Sequence, residues 1–183
     1  MFSIPTLPPI EGFHPFVVHF ALGILLSAWV PMVLGLLDRK RRMSWFRAGL
    51  MMIIMGTLFT FAAVFTGESA EGVVDHSSEL VEHAIHEHEE LAELSRLLFV
   101  GVMVIYFVGM LMYCKVGEAK KKKVGLLCAV LVGISYSLAS LALSNAGHQG
   151  GLLVHEHGLH APIANTDKAA EGHLSNDNHE DDD

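Results

Sequence analysis

The stretch PFVVHFALGILLSAWVPMVLGLL, residues 15–37, contains no Asp, Glu, Lys or Arg, and its reading decides the fold. A helix rises about 1.5 Å per residue, so about 20 apolar residues cross the ~30 Å hydrocarbon layer of a bilayer. No water is available there, so the backbone N–H and C=O groups must be paired within a helix or around a closed barrel. The run is continuous rather than alternating, which selects the helix. Three further long apolar runs follow at residues 46–66, 94–114 and 124–146, interrupted only by Arg47 and Arg96 near the ends of the second and third runs. The expected fold is therefore all-α, a polytopic membrane four-helix bundle. No Lys or Arg precedes the first run and no small-residue cleavage site closes it, which reads as a permanent span rather than a removable signal.

Composition points the same way. Of 183 residues, 51% are hydrophobic and 17% charged, and the mean hydropathy of +0.42 lies beyond that of an ordinary soluble domain. A net charge of −8 argues against a nucleic-acid partner, which would need clustered cations facing its phosphates. Two cysteines cannot staple a disulfide scaffold, so Cys114 and Cys128 are expected to be free, buried thiols. No Cys-x-x-Cys-His is present, which excludes covalent c-type haem attachment.

The cations are concentrated in two short loops. Arg39, Lys40, Arg41 and Arg42 lie between the first two runs, and Lys115 with Lys120, Lys121, Lys122 and Lys123 between the last two. Positive charge in short loops marks the cytoplasmic side. The expected placement is a bacterial inner membrane with both termini outside, in the periplasm. Residues 162–183 are dominated by Asn, Asp, Glu, Gly, Ala and His. They are expected to form a disordered acidic tail, because they bury too little apolar surface to offset the entropy of ordering. Residues 1–161 remain as one four-span domain. Gly101 and Gly109 in the third run, and Gly125, Gly133, Ser137, Ala139, Ser140 and Ser144 in the fourth, suit close helix packing in lipid.

Twelve histidines are the compositional feature that bears on function, and all fall at or near the expected outer side. His14 and His19 open the first span, where Pro15 fits a first helical turn. Five residues rotate a helix by about 140°, so these two imidazoles face different neighbours. His19, deeper in the span, is the stronger candidate for a site, since polar groups within spans usually face the bundle interior.

Ahead of the third span, Val81, Ala84, Ile85, Leu91 and Ala92 form an apolar stripe, predicting a short amphipathic outer helix that leads into the span, with Asp75 or Ser77 as its cap. His88 lies on the stripe, whereas His83 and His86 lie among glutamates on the wet face. After the fourth span come His148, His155, His157 and His160 around Gly150-Gly151, a pair that suits a tight turn or the close approach of a flat ligand.

The opening His14-Pro15-Phe16-Val17-Val18-His19-Phe20, of form HPxxVHF, and the closing GHQGGLLVHEHG from Gly147 to Gly158, of form GHxGGxLVxxHG, resemble the end motifs of a family of bacterial four-span membrane domains of unknown function. Thr66-Gly67 and His88-Glu89 also fit that pattern. The resemblance covers about residues 10–161. It implies a four-span fold and carries over His14, His19, His88, His148 and His157 by motif position. His83, His86, His155 and His160 have no clear counterpart. Members are often joined to cytochrome c-like modules, which implies electron transfer.

These residues support three functional readings. The first is a b-type cytochrome-like subunit with haem b held by outer-face histidines drawn from His14, His19, His88, His148 and His157, passing electrons between a membrane quinone and a periplasmic cytochrome c-like partner. The second is a Zn- or Cu-binding module using the same five histidines, with His155 and His160 as further donors. The third is a structural membrane subunit. All three describe an electron-transfer or binding subunit rather than a stand-alone enzyme, and no Gly-x-Ser-x-Gly, His-Glu-x-x-His or Gly-rich phosphate loop supports a hydrolase. The site is expected to bring His19, His88, His148 and His157 together, with His14 as a fifth member or an orienting neighbour.

Overall fold

The computed structural model describes residues 10–72 and 79–159. A short 3-10 turn, Ile10–Phe13, leads into α1 (His14–Ser27), followed by α2 (Trp29–Leu37), α3 (Arg42–Glu71), α4 (Glu79–Lys115) and α5 (Glu118–His155). No strand occurs among the described residues. Four helical segments, His14–Leu37, Arg42–Glu71, Glu79–Lys115 and Glu118–His155, are long and apolar enough to cross a membrane. The chain is an all-α, multi-pass bundle of two antiparallel hairpins, α1/α2 with α3 and α4 with α5, joined side by side.

The first span is two helices because of Pro31. A proline has no N–H to give the carbonyl four residues earlier, and its ring crowds that carbonyl. The carbonyl belongs to Ser27, the last residue of α1, and the chain passes through Ala28 into α2. Ser27 Oγ turns back to the Gly23 and Ile24 carbonyls at the break.

The helices are apolar on nearly all sides, so the hydrophobic pattern cannot say which face turns inward. Shape decides instead. Leu97, Leu126 and Leu141 are more than 65% exposed, facing outward, while Leu25, Ile53, Phe99 and Ala139 are fully enclosed. Gly56 lets Leu25 approach the α3 backbone so closely that a Cβ there would stand 2.5 Å from it. Two tyrosines tie the hairpins together: Tyr106 Oη donates to the Phe46 carbonyl at 3.1 Å, and Tyr136 Oη to the Leu25 carbonyl at 2.6 Å. At the basic end, the Asp38 carboxylate accepts from the Lys40 and Arg41 amides and from Trp45 Nε1. These donors hold the Asp38 carboxyl below its usual range.

Several details differ from the expectation. The amphipathic segment ahead of span three is not a separate helix; it forms the first turns of α4. At 37 residues α4 is about 55 Å long, so its charged turns project well beyond a hydrocarbon layer of about 30 Å. The Gly150-Gly151 pair makes no turn, because α5 runs on to His155. Cys114 is exposed rather than buried, while Cys128 is half-buried with Sγ directed at the Gly109 carbonyl. The caps proposed at Asp75 and Ser77, together with His76, His160 and the 162–183 tail, lie outside the described residues.

Candidate functional site

Away from the basic loops, α1, α3, α4 and α5 surround a cavity of about 550 Å³. Its wall is largely apolar, with Val18 and Ala21 from α1, Val64 from α3, Ile85 from α4 and Leu143 and Leu153 from α5. Two imidazoles enter it from opposite hairpins, His14 from the first turn of α1 and His88 from α4. Their ring centres are 6.5 Å apart and their planes are at 87°.

Each ring is held by the other helix of its own hairpin. His14 Nδ1 lies 3.0 Å from the Ala63 carbonyl and 3.2 Å from Thr66 Oγ1 on α3. His88 Nδ1 lies 2.9 Å from the Ala146 carbonyl on α5. A carbonyl only accepts, so Nδ1 carries the proton in both rings. Thr66 Oγ1 directs its own hydrogen at the Ala62 and Ala63 carbonyls and offers His14 a lone pair. Neither Nε2 has a hydrogen-bond partner among the described residues. In its neutral form each ring so held keeps its Nε2 lone pair available, the arrangement that backbone carbonyls commonly impose on metal-ligating histidines.

The mouth of the cavity is acidic, with Glu68, Glu71, Glu89, Glu90 and Glu93 along it. His88 and Glu89 stand in the charged turns of α4 that precede its apolar stretch. Burial lowers the pKa of His88, against the Ala146 hydrogen bond that raises it. Burial and the neighbouring Glu71 carboxyl raise that of Glu89. His83 and His86 have side chains 73% and 70% exposed and pair with Glu87 and Glu90 one turn on. The stripe thus separated His88 from the two wet histidines correctly, although His86 also reaches the cavity rim.

The expected convergence of His19, His148 and His157 on His88 is not what the structure shows. His19 is exposed on α1, with Nδ1 directed at the Pro15 carbonyl and the ring off the cavity wall. The rotation of about 140° that separates it from His14 decides this. His148 is exposed on α5, two residues from both Ala146 and Gly150, and therefore on the far side of the helix that presents those two to His88. His155 ends α5 exposed, and the half-buried His157 lies beyond it, neither on the cavity wall. The pair that forms is His14 with His88. Among the described residues no three His, Cys, Asp or Glu side chains converge to hold a metal ion.

Sequence reasoning missed Ala63 and Ala146 as hydrogen-bond partners. The signal was present: each is followed four residues later by a glycine, Gly67 on α3 and Gly150 on α5.

Fold and site together define a four-span membrane domain with a paired-imidazole cavity at the end opposite its basic loops. The family described as "Predicted membrane protein (DUF2231)" matches residues 11–162, and the chain belongs to it. Comparisons with curated proteins and with solved structures returned no match.

Proposed function

We propose that the protein is a b-type cytochrome-like membrane subunit in which His14 and His88 would together hold one haem, and that it serves electron transfer. The observation that carries this reading is the pair itself: two imidazoles from opposite hairpins, each fixed through Nδ1 with no hydrogen-bond partner on Nε2 among the described residues, 6.5 Å between ring centres. Two imidazoles bound on opposite sides of one metal at about 2 Å each stand with ring centres about 6 Å apart.

The donor set favours haem over Zn or Cu. A protein-only metal site needs three or four converging ligands, and the described residues supply two imidazoles. A porphyrin brings four nitrogens of its own and asks the protein only for axial donors. The cavity, at about 550 Å³, falls within the range of small-molecule and cofactor sites, roughly 300–1,000 Å³, and its wall is apolar.

When bound, the haem would supply a one-electron couple. The chain's own contributions are three. His14 and His88 would hold the group between the hairpins. Val18, Ala21, Ile85 and Leu143, which line the cavity, would keep water from it. The glutamates at the mouth present negative charge to an incoming partner, which suits a basic c-type cytochrome domain by electrostatic complementarity. The positive-inside rule puts the two basic loops in the cytoplasm and this mouth in the periplasm, and a membrane quinol is the matching electron source.

The test is the visible spectrum of the detergent-purified full chain. The reading expects a Soret band that shifts on dithionite reduction and sharp low-spin bands. These should be abolished by His14→Ala and by His88→Ala and kept in His19→Ala, His148→Ala and His157→Ala. A colourless protein carrying stoichiometric Zn or Cu would establish the metal-binding alternative instead, and a colourless, metal-free protein that takes up no added haem would leave a structural subunit.

A further inference from the structure

The two halves of the site are built by the same device. In the first hairpin, His14 gives its Nδ1 hydrogen to the Ala63 carbonyl, and the Cε1 edge of its ring lies over Gly67, one turn further along the same helix. In the second, His88 gives its Nδ1 hydrogen to the Ala146 carbonyl, and its Cε1 edge lies over Gly150, again one turn further along. A Cβ at Gly67 would stand 3.0 Å from His14 Cε1 and 3.3 Å from its Nδ1. A Cβ at Gly150 would stand 3.0 Å from His88 Cε1 and 3.4 Å from its Nδ1. The agreement extends to order along the chain: each histidine lies near the start of its hairpin's first helix and each Ala-x-x-x-Gly near the end of the second.

We infer that the two hairpins are structural repeats, and that Gly67 and Gly150 are matched positioning residues, one per repeat, that seat the imidazoles so that both Nε2 atoms face a single shared ligand. The glycines do not bend the chain, since α3 and α5 are continuous through them. In the middle of a helix a glycine without a packing task is a liability that alanine removes, because alanine is the better helix former. Here the added methyl would press on the ring edge next to the nitrogen that donates to the carbonyl. The ring would have to rotate or lift, weakening the bond that fixes its tautomer and moving Nε2. Gly101 and Gly133 lie within α4 and α5 with no atom in the way of a Cβ, which makes them the controls.

The inference rests on the haem reading for its ligand but not for its geometry, and the experiment separates the two. Gly67→Ala, Gly150→Ala, Gly101→Ala and Gly133→Ala are made in the full chain, purified in detergent and titrated with haem. Thermal unfolding of the haem-free protein is followed alongside. Outer partners that orient a ligating histidine typically control affinity by about 10–100-fold. Gly67→Ala and Gly150→Ala should each weaken haem binding by about tenfold or more, and Gly101→Ala and Gly133→Ala should not.

Electron paramagnetic resonance of the ferric protein reads the seat directly. Imidazole planes at 87° predict a strongly anisotropic low-spin signal with one prominent low-field line. The seat variants should convert it to a three-line rhombic or a high-spin signal, with the control variants unchanged. Seat variants that bind haem with wild-type affinity and spectrum would overturn the inference and leave the haem reading standing.

If no variant and no wild-type protein takes up haem, the haem reading fails, and nitrogen-15 spectra of histidine-labelled haem-free protein decide the rest. Two rings locked in the Nδ1–H form and disturbed only by the seat variants support the seats. Rings exchanging freely between tautomers overturn them, as would seat variants that behave in every measurement as ordinary stabilising Gly→Ala changes.

Discussion

The two hairpins reach the same end by different routes. The first crosses as a broken helix, 14 residues of α1 and 9 of α2 around the Pro31 break, packed on a 30-residue α3. The second consists of two unbroken helices of 37 and 38 residues. Their cavity ends differ as well: His14 stands on the first residue of its helix, whereas His88 stands in the third turn of α4, beneath a charged extension. What survives these differences is one imidazole per hairpin, its Nδ1 on an alanine carbonyl and its edge on a glycine one turn away. Features that differ between the halves are those the bundle can vary. The shared seat is the part that the proposed ligand between the halves would require.

The strongest way to break the comparison is to remove one ring. His14→Ala and His88→Ala should each cost an axial bond and leave a cavity that retains added haem at most weakly, seen as loss of the low-spin bands. If only one of the two mattered, the halves would not be equivalent.

A smaller effect is expected at the joint between the halves. Tyr136→Phe removes the hydroxyl that binds the Leu25 carbonyl close to the helix break. A hydrogen bond of this kind contributes about 0.5–1.5 kcal/mol, and averages nearer 0.6 kcal/mol between helices in lipid. Thermal or denaturant unfolding in detergent should register a loss of that size with haem binding preserved.

The smallest effect would sharpen the comparison rather than break it. Thr66 gives His14 a second acceptor, while the matching position three residues after Ala146 is Gln149, which makes no such bond to His88. Thr66→Val should weaken haem binding only a few-fold, if the Ala63 carbonyl alone fixes the ring as the Ala146 carbonyl does in the other half. A loss as large as that of His14→Ala would show that the hydroxyl, not the carbonyl, holds His14.

The spans and the burial of His88 were legible because they rest on strong patterns: long apolar runs, and a stripe whose other face is glutamate. The choice between His14 and His19 was not. In a helix apolar on every side, depth in the span suggests His19, but the face that turns inward is set by packing against Ala63 and Gly67, which are distant in sequence. The turn expected at Gly150-Gly151 failed for a related reason. Glycines mark turns in water, yet in a packed helix pair they also mark where a ring lies against the backbone. Ala63-x-x-x-Gly67 and Ala146-x-x-x-Gly150, read together as a repeat opposite two histidines, carried that information.

The central claim is that His14 and His88 hold one shared group, and the haem-to-protein ratio of the purified full chain, compared with that of each single histidine variant, tests it most directly. The account predicts one haem per chain in the wild type, and a ratio near zero in His14→Ala and His88→Ala alike. A wild-type ratio of two per chain that falls by half in each variant would mean two separate sites, and a ratio unchanged in either variant would contradict the shared pair outright.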